Sequence, residues 1–138
     1  MRILVAYDGS GPAQRALRHA IETYPDSELT LLRVIEAASG SLEAGVDLLQ
    51  ERLKERREET VAEIDESVRE LINEANIDFD SEFVIGKPAR KIVSYADEND
   101  FDVIVLGSHG REGVSRYLLG SVAELVVRRS SAIVTVVR

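Results

Sequence analysis

The chain has 138 residues, 44% apolar and 5% aromatic, with no cysteine. This balance suits one α/β domain rather than a disordered or disulfide-built chain. Its 25 acidic and 17 basic residues leave a formal charge of −8, with neither a basic stripe interleaved with aromatics nor an apolar run approaching ~18 residues, which sets aside nucleic acid and membrane as partners.

The opening MRILVAYDGS has only six apolar residues before Asp8 and no small-residue cleavage site, so it does not read as a secretory signal. Together with the missing cysteines, this favours a cytoplasmic location. Only Lys54, Lys87 and Lys91 are lysines. Lysine-poor acidity of this kind resembles that of haloarchaeal proteins, with an ordinary acidic cytosolic chain as the alternative.

In chain order, the first predicted strand is RILVAY (2–7), ending at the turn-rich Asp8-Gly9-Ser10-Gly11. Pro12 suits the first turn of a helix running to about Thr23, with Ala13, Ala16, Leu17, Ala20 and Ile21 on its buried face. The second strand is SELTLLRVI (27–35). The connection that follows carries Leu42, Val46, Leu49, Leu53, Val61, Ile64, Val68, Leu71 and Ala75, mostly at three- or four-residue intervals. A continuous helix over 42–76 would be ~50 Å long, against ~20 Å for a six-residue strand. The part near 55–76 is therefore expected to pack on the sheet, and 37–54 to form a loop or protruding arm. DFDSEFVI (78–85) is the third strand, and Pro88 opens a helix carrying Ala89, Ile92, Val93 and Ala96. FDVIVLG (101–107) and AIVTVV (132–137) are the fourth and fifth strands, with the helical VAELVVRRS between them. The alternation predicts one doubly wound α/β sandwich of five parallel strands, with helices on both faces, over 1–138.

In an open parallel sheet, ligands bind beyond the carboxyl ends of strands where the strand order reverses. Asp8-Gly9-Ser10 follows the first strand and Gly107-Ser108-His109-Gly110 the fourth, so neighbouring strands there would place both loops on one crevice. Glycine admits close approach to the backbone. Gly120-Ser121 opens the last helix, whose free N–H groups would favour a phosphate. A structural alternative is open: Gly107 and Gly110 end a strand, and Gly120 separates two helices. Neither YDGSGP nor IGKPAR has the spacing of a dinucleotide fingerprint or a P-loop.

The opening ILVAYDGS, the stretch GKPARKIVSYADENDFDVIVLGSHG and the pattern Gly107-x2-Gly110-x9-Gly120-Ser121 together resemble the universal stress protein family over nearly the full length. The last pattern matches the G-x2-G-x9-G-[ST] motif of its ATP-binding subgroup. The resemblance implies sheet order 3-2-1-4-5 and ATP or a related adenine nucleotide as ligand; a nucleotide-bound Mg²⁺ could use phosphate oxygens, waters and Asp8 or Ser121. It assigns Gly107, His109 and Gly110 to the ribose and phosphates, and Gly120 and Ser121 to the distal phosphates. Asp8 would lie near the sugar, with a water or metal. Val34 would offer backbone contacts to adenine, and Ala6 and Val122 complete the cofactor-binding positions. Ile133 departs from the proline that many members carry at the last strand, leaving its start and pairing register open.

These readings imply a nucleotide-responsive stress or signalling module. The alternative is a slow ATPase or other adenine-nucleotide enzyme, for which no activated nucleophile, paired carboxylate or triad is evident. As the edge of the sheet, 132–137 would pair with its copy in a homodimer.

Overall fold

The computed structural model describes residues 1–36, 54–55, 58–62, 64–108 and 120–138. The expected arm over 37–54 falls almost entirely outside them, as do His109, Gly110 and the rest of 109–119. Five strands form one sheet: β1 (Arg2–Ala6), β2 (Glu28–Ile35), β3 (Asp78–Ile85), β4 (Val103–Gly107) and β5 (Ile133–Val137). All neighbouring pairs are parallel, in the order β3-β2-β1-β4-β5. The strand order therefore reverses between β1 and β4, as the resemblance implied.

Side-chain alternation divides the core between two faces. Ile3, Val5, Leu29, Leu31, Val103 and Val105 join one buried cluster beneath α1 (Gly11–Thr23) and α2 (Glu66–Glu74). Leu4, Leu32, Ile104 and Leu106 join the other beneath α3 (Pro88–Glu98) and α4 (Ser121–Arg129). The central strands are covered on both faces, which is why they read as nearly unbroken apolar runs.

Helix α1 buries the five residues its sequence pattern predicted. Its start is set locally: Ser10 Oγ accepts from the Ala13 N–H at 3.3 Å, and Pro12 supplies a preset φ in the first turn. The connection before β3 differs from a single long helix. Residues 58–62 are helical, but the backbone is extended at Asp65, with ψ 140°, before α2 begins. The Asp65 carbonyl accepts from the Val68 and Arg69 N–H groups, so the chain restarts its hydrogen bonding there. Ile64 and Val68 both reach the core across this break, whereas Val61, part of the apolar series, is exposed.

At the other end of the chain, Ile133 pairs with Val103, and its N–H donates to the Asp102 carbonyl at 3.2 Å. The register is thus held by a donor that proline would lack.

Candidate functional site: a cavity at the strand crossover

The strands around the reversal end at different heights. Pairing of β1 with β2 stops at Ala6 and Leu32, followed by one bond from the Tyr7 N–H to the Leu32 carbonyl. Beside β3, β2 continues to Ile35, whose carbonyl accepts from the Gly86 N–H at 2.9 Å. Successive peptide groups alternate sides in a parallel ladder, so those of Leu32 and Val34 turn toward β1. There Leu32 has its partner, but β1 has already left the sheet beside Val34. Val34 therefore presents one backbone donor and one acceptor to the gap.

That gap is a cavity of about 290 Å³. Leu32, Val34, Leu106 and Ala6 line it from the sheet, with Pro88 and Ile92 from α3 and Val122 from α4. Asp8, Gly107 and Glu36 reach it from the strand ends. The combination is an apolar slot with a few polar groups at its margin, the usual make-up of a small-molecule site.

Of the positions expected from sequence, the structure brings Ala6, Asp8, Val34, Gly107 and Val122 onto this one cavity. Ser121 does not line it, opening instead on an adjoining groove that shares the Glu36, Pro88 and Val122 walls. Gly120 is buried as the cap residue before α4, where its carbonyl accepts from the Glu124 N–H. His109 and Gly110 lie outside the described residues. Glu36 had no motif to mark it, although the period-two series Leu32, Val34, Glu36 places it on the cavity face.

Two local details define the turn beneath the cavity. The Asp8 carboxylate accepts from the Ser10 N–H at 3.0 Å, and Gly9 adopts φ 80° between them. This Asx-type turn needs a residue that tolerates the left-handed region. At Gly107, a side chain would place its Cβ 2.6 Å from both the carbonyl carbon and the Cβ of Pro12. The close seating of α1 against the end of β4 thus demands glycine there independently of any ligand. Among the described residues, no three His, Cys, Asp or Glu side chains converge as a metal site, and no helix is long and apolar enough to cross a membrane.

This fold, with its cavity at the β1–β4 reversal, accompanies a sequence match to the Universal stress protein family profile over residues 1–138. The chain belongs to the universal stress protein family. A universal stress protein of Methanocaldococcus jannaschii is 32% identical over 142 residues, covering 99% of this chain and 81% of its own. Among solved structures, the protein MJ0577, whose biochemical function was assigned from its structure, matches with a TM-score of 0.76 and 30% identity, covering 99% of this chain and 94% of that one. A universal stress protein in complex with cAMP matches with a TM-score of 0.71 and 25% identity, covering 100% of this chain and 97% of that one. Sequence and fold thus place this chain among the universal stress proteins along its whole length.

Proposed function

We propose that this universal stress protein binds an adenine nucleotide, ATP, in the cavity at the strand crossover and acts as a nucleotide-responsive module. The observation that carries the reading is the open peptide pair of Val34 within an apolar slot. Adjacent donor and acceptor groups on a dry wall complement the edge of a planar base, and the flanking aliphatic side chains cover its faces. The related protein bound to cAMP supports an adenine ligand. Asp8 serves the sugar, and Gly107, His109, Gly110, Gly120 and Ser121 serve the phosphates through backbone donors, the Ser121 hydroxyl and the start of α4. Magnesium arrives with the phosphates in this scheme, with Asp8 as a carboxylate at the cavity wall beside Glu36.

The test is calorimetric titration of the purified protein with ATP, ADP, AMP, cAMP and GTP, beside Val34→Pro. The substitution removes the cavity-facing N–H without taking a ladder bond from β3. A folded variant that loses binding supports the reading; one binding ATP as tightly as the parent overturns it. Robust turnover of ATP in the same samples would replace the binding-module reading with an enzymatic one.

The proposal extends to a cytoplasmic homodimer paired through β5. The two sheet edges differ: β3 carries Asp78, Asp80 and Glu82, whereas β5 is IVTVV with Ile133 62% exposed. Charges deter pairing at the first edge and nothing comparable does so at the second. Light scattering at several concentrations tests the extension, and a strictly monomeric mass rejects it.

A further inference from the structure

The cavity does not end at Val34. Past Glu36, Pro88 and Val122, which form walls of both spaces, it adjoins a groove of about 460 Å³ between the starts of α3 and α4. The groove is larger than the cavity and has a similar apolar character, with Ala89 and Leu125 adding to the shared walls. Lys87 and Ser121 line it and do not line the cavity. Lys87 is exposed and, among the described residues, its side chain has no ion-pair or hydrogen-bond partner. The groove therefore combines an apolar surface with cationic and hydroxyl donors next to a site read as holding a nucleotide.

We propose that this groove is a second compartment of the ligand site, accepting a second nucleoside joined through phosphates to the one in the cavity. The inference rests on the nucleotide reading above. Three shared walls let one ligand occupy both spaces, and a groove exceeding the cavity in volume has room for a second base. Lys87 and Ser121 meet the phosphates between the two halves. Leu125, 39% exposed, covers the outer base. Glu36, at the divide, accepts from sugar hydroxyls. A nucleotide with one base leaves the apolar part of the groove unused, so the ligand class favoured is a dinucleoside polyphosphate.

Titration of the full chain with AMP, ATP and diadenosine tetraphosphate tests this, because ATP matches much of the phosphate charge without the second nucleoside. The dinucleoside is expected to bind about tenfold more tightly than ATP, since the second contact is made within one ligand. Leu125→Glu is expected to bring it to within about twofold of ATP, and Lys87→Ala to weaken it about fivefold, with Lys87→Arg restoring it and AMP affinity holding within about twofold throughout. Circular dichroism checks that each variant is folded. If the parent binds AMP but the dinucleoside no better than ATP, or folded Leu125→Glu keeps the advantage, the second compartment is rejected and the nucleotide reading stands. If the parent binds none of the three, the nucleotide reading falls and this proposal falls with it.

Discussion

At the amino end of the sheet Arg2 is engaged on several sides, whereas at the carboxyl end Val34, Glu36 and Lys87 border the cavity and its adjoining groove. The Arg2 N–H donates to the Asp102 carboxylate at 2.8 Å, and its Nε pairs with Glu28 at 3.1 Å. The guanidinium also donates to the Asn99 carbonyl and lies 4.5 Å from the centre of the Phe101 ring. One side chain thus joins β1, β2 and the turn before β4. Beyond the other end, β2 outruns β1 and the peptide group of Val34 has no strand to join. Both ends are built from the same parallel ladders. The difference shows that the cavity arises where the pairing of strands stops unevenly, leaving backbone groups beside an apolar surface.

That contrast makes measurable predictions. The largest effect is expected for Leu4→Ala, because Leu4 is fully buried midway between the ends. It should cost about 2–5 kcal/mol in chemical denaturation, and both ends should unfold together. Separate transitions reported by amide exchange at Arg2 and at Tyr7, whose N–H donates to the Leu32 carbonyl, would break the picture of one cooperative sheet. Gly107→Ala comes next. Its new Cβ would meet Pro12 backbone atoms at 2.6–2.7 Å, and about 1–3 kcal/mol should be lost without ligand. An unchanged melting temperature would show that the carboxyl end yields easily and that the close approach of α1 is not a constraint.

Arg2→Ala is expected to cost about 1 kcal/mol, since its exposed ion pair is screened while the ring contact and carbonyl bond are also lost. Ligand affinity should remain unchanged, because these contacts lie at the opposite end from the cavity. A parallel loss of affinity would show the ends to be coupled. The smallest effect is expected from salt. With a formal charge of −8, screening should raise the midpoint in molar KCl, and a midpoint that falls steadily would contradict this.

Much of the fold was legible before the structure because short apolar runs and three- to four-residue spacing report how each segment meets a core. The five strand positions, the inward face of α1 and the Pro88 start of α3 all follow from such local signals. The break at Asp65 did not show, because Ile64 and Val68 keep a helical spacing that two short segments and one long helix satisfy equally well. For the candidate site, the glycine-rich strand ends point to the carboxyl end of the sheet, where the cavity lies. They did not distinguish Gly107 as a seat for Pro12 from Gly107 as a ligand contact, since both uses require a missing side chain.

The sequence by itself determined the alternation of strands and helices, the faces they bury and the Pro12 turn that begins α1, because each depends on residues a few positions apart. Its family resemblance also supplied the strand order. Only the tertiary structure decided that β1 ends short of β2, that Val34 presents its peptide to the resulting gap, and that Ser121 opens on a neighbouring groove with Lys87. Those relations depend on register and on where separate helices begin over the sheet. Side-chain periodicity carries no record of either, because the same apolar face can be buried with a strand or helix shifted along its own axis.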